Sequence, residues 1–435
     1  MHLLYQVASL ALFSVLWPFL FVHPKLRHGI RQRLGFFGGP ICPDGRGPRI
    51  WLHGASAGDL LALTPVIDGL RQRFPGCTLV VSTLTNSGQL MARQRIRGVD
   101  AVIYLPYDLP GATRRTNAAV RPDLLVLEYT EIWPGLIRAA RRAGARIALT
   151  NGRFSARHLR EYRWLFRLIG NPLGEIDLFL MREDVEAERA LALGAPLERV
   201  WVTGNTKFDA LLFSGQGPAP KAGGGVPSLD EALSGDGPLW IAGSTHEGEE
   251  ALLLSAFGRL RQEQPKLRLA IAPRYIERAG KIVALAREHG FRARFRSEAP
   301  TPADVVVLDS MGELGQAYRL ATLVFVGGSF TQRGGQNILE PAAAGKPVLF
   351  GPNMDNFHDS VQVLVGRGGI QVKDEEQLHR VVSDLLLRPD QMAELGAMAR
   401  DAVAAVRGAG QRDVEQLARL LVERTEGHPD GRRAA

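Results

Sequence analysis

The chain is poor in cysteine: Cys42 and Cys77 are the only two among 435 residues. Two such residues make neither a disulfide framework nor a metal-ligand spacing, and their scarcity suits a reducing compartment. No His/Cys or clustered-carboxylate signature marks a metal site. A cleaved secretory signal would carry its charges before the apolar core and small residues after it, and neither is present. No nucleic-acid-binding module is recognisable.

What is present is a globular composition, 45% apolar and 23% charged, which excludes a disordered chain. The length exceeds one ordinary core and predicts two domains. A formal charge of +8 and a pI near 9.8 point to a negatively charged partner: nucleic acid, anionic lipid or a phosphorylated substrate. From Leu3 to Val22 the sequence is almost continuously apolar, and roughly 20 such residues suffice to cross a bilayer. Lys25, Arg27, Arg31 and Arg33 follow directly, a charge placement that keeps the remainder of the chain in the cytoplasm. A membrane anchor is expected here, spanning or interfacial, since Pro18 can kink it.

Beyond this segment, short apolar stretches alternate with helical patterns. Ile50 to His53, Thr78 to Ser82, Ala101 to Tyr104, Leu124 to Leu127, Arg146 to Leu149, Leu178 to Met181 and Val200 to Thr203 read as strands, and Gly58 to Arg73 and Pro134 to Arg142 as helices. Residues 214–228, rich in Gly, Pro, Ser and Ala without periodicity, read as a linker. The alternation then resumes and ends in helices near Pro389 to Val406 and Gln411 to Glu423. Two consecutive α/β domains follow from this pattern.

The second half holds the densest signal. An apolar strand from Thr322 to Val326 runs into Gly327, Gly328, Ser329 and a turn with Gly334 and Gly335, then a short helix from Asn337 to Ala344 bearing Glu340. Glycines let backbone N–H groups approach an anion, and the following helix aims its positive end at a phosphate. Ser244-Thr245-His246-Glu247-Gly248-Glu249-Glu250, Ala272-Pro273-Arg274 and Ser310-Met311-Gly312-Glu313 also follow apolar runs. In a parallel sheet such turns converge on one crevice.

Segments in order along both halves resemble the bacterial 3-deoxy-D-manno-octulosonic acid (Kdo) transferases of lipid A assembly. They are Trp51-Leu52-His53, Tyr104 to Pro110, Glu131-Ile132-Trp133-Pro134, Thr203 to Asp209, Ser244 to Glu250, Met311-Gly312-Glu313 and Asn337-Ile338-Leu339-Glu340. The resemblance implies a GT-B glycosyltransferase architecture: two Rossmann-like domains facing a cleft, with an N-terminal membrane-anchoring helix. The boundaries expected are 1–33 for the anchor and its basic flank, 34–213 for an acceptor-binding domain, 214–228 for the linker, 229–424 for a nucleotide-sugar-binding domain and 425–435 for a tail. It further implies an inverting transfer of Kdo from CMP-Kdo to a lipid A precursor in lipopolysaccharide synthesis, without metal or cofactor, at the cytoplasmic face of the inner membrane.

Displacement at an anomeric carbon needs a base for the acceptor hydroxyl, stabilisation of the departing phosphate and tolerance of oxocarbenium-like charge. Asp59 matches the family's glutamate base, one methylene shorter, and Lys207 a lysine that steadies the transition state. Pro273 and Arg274 match the family's CMP-binding pair; Met311, Gly312 and Glu313, and Asn337, Ile338, Leu339 and Glu340, match other nucleotide-contacting segments. Gly328 and Ser329 belong to the glycine turn on the donor side. The chain departs from the family pattern at Tyr129, with Glu128 beside it, where a glutamate is usual, so both are candidate catalytic residues. Tyr275, Gln336 and Gly54 replace two histidines and a serine. Ser56, Gly58, Arg153 and Arg157 are expected to meet the acceptor. Arg153 begins a segment in which Arg157, Arg160, Arg163 and Arg167 interleave with Phe154, Tyr162, Trp164, Leu165 and Phe166, suited to anionic lipid headgroups. The substitutions leave open a catalytically weakened homologue that binds lipid A or membrane, or a transferase using another nucleotide sugar. Nucleic acid is not expected as a partner.

Overall fold

The computed structural model describes residues 2–22, 28–39, 41, 47–213 and 227–426. Among them the first sheet has seven parallel strands, β1 (Arg49–His53), β2 (Thr78–Thr83), β3 (Ala101–Tyr104), β4 (Leu124–Glu128), β5 (Arg146–Gly152), β6 (Leu178–Met181) and β7 (Val200–Val202), in the order β3-β2-β1-β4-β5-β6-β7. The second has β8 (Leu239–Thr245), β9 (Arg268–Pro273), β10 (Ala293–Phe295), β11 (Val305–Val307), β12 (Leu323–Val326), β13 (Val348–Phe350) and β14 (Gly369–Gln371), in the order β10-β11-β9-β8-β12-β13-β14. Strand order reverses between β1 and β4 in one sheet and between β8 and β12 in the other. These reversals are the places where doubly wound sheets open a crevice at their strands' carboxyl ends.

The strands read as unbroken apolar runs because helices cover both faces. In the first sheet Ile50 and Leu52 of β1, with Leu124 and Val126 of β4, enter one cluster, while Trp51, Leu125 and Leu127 enter the other. That is the two-residue alternation of a pleated strand. The helix Ala57–Arg73 adds Leu63, Val66, Ile67 and Leu70 to the first cluster.

The chain divides into two compact units, one made of residues up to Ala210 together with those from Gly408 onward, the other of Leu211 to Arg407. This corrects the expected second domain of 229–424. The helix Ala409–Glu426 belongs to the first unit, where Val414, Leu417, Leu420 and Leu421 pack against the Ala57–Arg73 helix. Its N-terminus is fixed by Asp209, whose carboxylate accepts from Gly408 N at 2.8 Å and Gly410 N at 2.8 Å. Most of the expected linker, residues 214–226, and the tail beyond 426 lie outside the described residues.

The N-terminal apolar run forms the helix His2–Val22. Among the described residues no helix is long and apolar enough to cross a membrane, so a membrane-spanning helix is not found. The Tyr5 hydroxyl donates to Asp108, and the Phe13 ring lies 5.2 Å from that of Tyr107, while Val7, Leu10, Leu12 and Val15 are exposed. Of the expected basic flank, Lys25 and Arg27 lie outside the described residues. Arg33 does not face a membrane: it is buried, donates to His28 O at 3.0 Å and to Leu84 O, and stacks 4.6 Å from the Tyr104 ring centre.

Candidate active site

In the first unit the β1 and β4 ends bring together residues far apart in sequence. The turn after β1 leads to Ser56, the N-cap of the Ala57–Arg73 helix, and Asp59 completes a capping box. Asp59 Oδ2 accepts from Ser56 N at 2.9 Å, and Ser56 Oγ accepts from Asp59 N at 3.4 Å. A side chain in that position closes the orphan amides of the first turn and complements the helix dipole. Burial pushes the Asp59 carboxyl above the usual aspartate range against the Ser56 hydrogen bonds; Glu131 raises it further and His53 lowers it.

Glu131 sits in the loop after β4. Its Oε2 accepts from Trp133 Nε1 at 2.9 Å and lies 3.3 Å from His53 Nε2. His53 is fully buried, with Nδ1 3.0 Å from the Ser82 carbonyl. Carbonyl and carboxylate oxygens both accept, so Nδ1 donates to Ser82 O, and the Nε2 contact to Glu131 is a hydrogen bond when Nε2 is protonated as well. Burial alone would raise the Glu131 carboxyl, but His53 and the Trp133 N–H outweigh it and hold it below the usual glutamate range. The ionised Glu131 and the raised Asp59 form a pair of carboxyls with separated proton affinities, the arrangement used where one group takes a proton and a neighbour stays charged. His53 and Glu131 were missed as site members in the sequence, although both lie in the matched segments. The available signal was their place at the ends of neighbouring strands.

Glu128 was expected among the catalytic residues. It is wholly buried, accepting from Thr150 Oγ1 at 2.7 Å and Asn151 Nδ2 at 2.5 Å. Burial pushes its carboxyl well above the usual range despite those two donors, with Asp413 and Asp59 adding to the rise. With no exposed surface, it lies beneath the site and not on it. Asn151 carries the network on, accepting from Thr206 N at 2.9 Å next to Lys207. Tyr129 is half-buried with φ of 55°, a left-handed backbone that in a bulky residue marks a constrained site; Asn151, with φ of 48°, is of a type that adopts it more readily. The Arg182 guanidinium stands 5.9 Å from the Tyr129 ring centre. Lys207 is half-buried in the first turn of Thr206–Phe213. Gly58, Arg153 and Arg157 are exposed, and Ser56 is half-buried with its hydroxyl committed to the cap. In the basic aromatic segment Phe154 and Phe166 are buried and Tyr162 packs on them; the segment's exposed apolar groups are Trp164 and Leu165.

In the second unit the glycine turn is built differently from the expectation. The Glu249 carboxylate, 1% exposed, accepts from Gly328 N at 2.7 Å, Ser329 N at 3.0 Å, Phe330 N at 2.9 Å and His246 N at 2.9 Å. The amides assigned to a phosphate are filled by the protein's own carboxylate. Ser329 is fully buried, donating to Val326 O at 2.6 Å and accepting from Gly351 N at 2.8 Å, so neither Gly328 N nor Ser329 remains for a donor. Gly327 is required by space: a Cβ there would meet Thr245 Cα at 2.6 Å and Glu249 Oε2 at 2.8 Å. The helix expected from Asn337 spans only Leu339–Ala343. Ile338 and Leu339 are fully buried and offer a ligand no side chain.

Around this frame are groups that do face outward. Glu340 is half-exposed as a residue, yet its Oε1 is buried with no hydrogen-bond partner, and burial pushes its carboxyl up to about 7. Asn337, ahead of the short helix, accepts from Leu339 N at 3.1 Å and donates to Leu211 O at 2.9 Å. Met311 is 77% exposed, beside Gly312 with φ of 86°. Glu313 is instead a buried partner of Arg296 at 2.7 Å and of the Ser310 hydroxyl. Pro273 ends β9, and Arg274 is exposed with its N–H on Thr245 O at 2.9 Å. His246, 6% exposed, stacks edge-on to Tyr275 at 5.7 Å. Burial lowers the His246 pKa, Glu249 opposes this, and Arg333, Arg274 and Arg278 lower it further. Arg274 and Arg333 therefore add positive field at the β8 and β9 ends, suited to phosphate, while Arg278 is engaged by Glu250 at 3.0 Å and Glu247 at 3.2 Å.

A family model described as 3-Deoxy-D-manno-octulosonic-acid transferase (kdotransferase) matches residues 28–210. The 3-deoxy-D-manno-octulosonic acid transferase of Haemophilus influenzae is 32% identical over 403 residues, covering 91% of this chain and 92% of its own. That of Bordetella pertussis is 32% identical over 379 residues, 85% of this chain and 86% of its own. Among solved structures, UDP-GlcNAc 2-epimerase from Neisseria meningitidis bound to UDP-GlcNAc superposes with a TM-score of 0.53 at 12% identity, covering 85% of this chain and 99% of that one. This last likeness is one of fold.

Proposed function

The chain belongs to the 3-deoxy-D-manno-octulosonic acid (Kdo) transferases, and on that premise we propose that it transfers Kdo from CMP-Kdo to a lipid A precursor, with inversion and without a metal in the step. The observation that carries this reading is the Asp59 carboxyl, raised by burial and standing near Glu131 and His53 at the β1/β4 reversal. A general base works best when its pKa approaches the operating pH, and burial moves Asp59 in that direction. Its Oδ2 is held by Ser56 N, which fixes the direction of the remaining lone pairs. Asp59 takes the proton of the acceptor hydroxyl as that oxygen attacks the anomeric carbon and the bond to the CMP phosphate breaks. Glu131 stays ionised and favours the oxocarbenium-like charge that develops.

On the donor side, Arg274 with Arg333 stabilises the departing phosphate; in the first unit, Lys207 is the compact positive charge that steadies the transition state. The unpartnered Glu340 oxygen accepts from a ribose hydroxyl, while Pro273, Met311, Gly312 and Asn337 shape the nucleotide pocket. Arg153 and Arg157 meet the acceptor's phosphates. The protein acts at the cytoplasmic face of the inner membrane, with the helix His2–Val22 in the interface; its exposed Val7, Leu10, Leu12 and Val15, and Trp164, Leu165 and Leu168 of the Leu159–Ile169 helix, support this.

The test is an assay with CMP-Kdo and a detergent-dispersed tetraacylated lipid A precursor, read by product mass. Saturable formation of a Kdo-bearing product is expected. Binding of donor without turnover would leave a weakened homologue, and stabilisation only by UDP- or GDP-linked sugars would redirect the assignment to another donor.

A further inference from the structure

We propose that a cavity of about 460 Å³ in the first unit, between the helices His2–Val22, Pro110–Val120 and Pro134–Arg142, binds the phosphodiester headgroup of an anionic phospholipid. Its walls include Tyr5, Asp108, Arg114, Arg138, Ala139 and Arg142. Arg138 is 7% exposed. Its Nε donates to Glu175 Oε1 at 2.9 Å and its Nη2 to Ile169 O at 3.1 Å and Gly170 O at 3.2 Å, while Nη1 is buried with no partner. A guanidinium carries five donors, and a buried one left unmade is costly, so an anionic oxygen that reaches Nη1 from the cavity gains a charge-assisted bond.

Asp108 makes no hydrogen bond to Arg138, although the Arg138 charge bears on its carboxyl. Its Oδ1 accepts from Leu136 N at 2.6 Å, and its Oδ2 from Gly135 N at 2.8 Å and from the Tyr5 hydroxyl. Arg114 and Arg142 are exposed and add two positive charges to the same walls. Small side chains such as Ala139 leave room for the glycerol backbone. The source is a lipid and not free phosphate because one wall is the N-terminal helix itself, which exposes Val7, Leu10, Leu12 and Val15. A headgroup held beneath that helix keeps its acyl chains beside those residues. The inference deepens the interfacial placement proposed above and rests on it, but not on the transfer chemistry.

Full-length protein is titrated with dihexanoyl phosphatidylglycerol and, in parallel, with inorganic phosphate, and floated on phosphatidylcholine vesicles with and without phosphatidylglycerol. Ala139→Phe fills the cavity without changing charge, and Arg114→Glu/Arg142→Glu reverses two charges. Both variants should bind the short-chain lipid at least roughly tenfold more weakly, the loss of one charge-assisted bond or more. They should lose their enrichment on phosphatidylglycerol vesicles while unfolding at the wild-type temperature and transferring Kdo to detergent-dispersed acceptor at the wild-type rate. Unchanged lipid affinity in Ala139→Phe overturns the site. Inorganic phosphate bound as tightly as the lipid overturns the headgroup assignment. Absence of transfer in the wild type would count against the enzymatic reading alone.

Discussion

Asp59 serves as a helix-capping group and as the proposed base, and the two roles separate experimentally. Asparagine keeps an oxygen for Ser56 N but cannot take a proton. Asp59→Asn should unfold near the wild-type temperature while kcat falls by about 10²-fold to 10⁴-fold; full activity would leave Asp59 a cap only. Because burial raises its pKa, the acid limb of kcat/KM should lie above the ordinary aspartate range. Glu249 has a structural signature: four amides converge on it. Glu249→Gln places an NH₂ against one or more of those N–H groups, so chemical denaturation should show a loss of roughly 1–3 kcal/mol. Glu340 offers a pH test. Its carboxyl rises from 4.5 to about 7 on folding, so the folded state holds the extra proton. Its contribution to stability is complete below the unfolded value and is lost as pH rises through 7. Glu340→Gln should therefore gain stability over wild type at pH 8, on the order of 3 kcal/mol at most, and the gain should vanish near pH 4. A wild-type curve parallel to the variant's between those values would remove the raised carboxyl.

At the scale of elements, strands and turns were legible because both sheets are parallel and covered on two faces, so each strand is an uninterrupted apolar run ending in a polar turn. The helix Pro134–Arg142 falls on the bounds expected, since a proline at its first position and basic residues in its last turn signal both ends. The helix after the glycine turn does not: Asn337, outside the helix, spends its side chain on Leu339 N and Leu211 O, and only Leu339–Ala343 is helical. A five-residue helix has little dipole to offer, and the turn's amides are already satisfied by Glu249. For the helix Ala409–Glu426, Asp209 provides the N-terminal acceptor through a contact across some 200 residues. Asp209→Ala should cost about 1–2 kcal/mol, and Leu417→Ala, at a fully buried position, about 2–5 kcal/mol, both read from urea midpoints.

For the molecule as a whole, the chain leaves its first unit and comes back to it. Ending the chain at Arg407 would expose the Leu63, Val66, Ile67 and Leu70 face that the C-terminal helix covers. Hydrogen exchange in such a truncated chain should speed up in peptides spanning 57–73 while peptides around Leu253 to Phe257, in the second unit's core, keep their protection. Equal loss in both would mean that the helix stabilises the units jointly.

Sequence alone determined the class of the chain: strand and helix alternation, two domains, the order of the turn motifs and the family they resemble. These are local properties, carried by side-chain period and by short runs of turn residues. The site members Asp59, Glu131 and His53 were present in those motifs, but their association was not, because it depends on β1 and β4 lying side by side at the reversal of strand order. Tertiary structure alone decided that Glu128 is buried, that Arg33 is a core residue, that Glu249 fills the glycine turn and that the last helix returns to the first unit. Each depends on which distant group reaches a buried donor, acceptor or apolar face first, and a buried polar group takes whatever partner the fold brings to it.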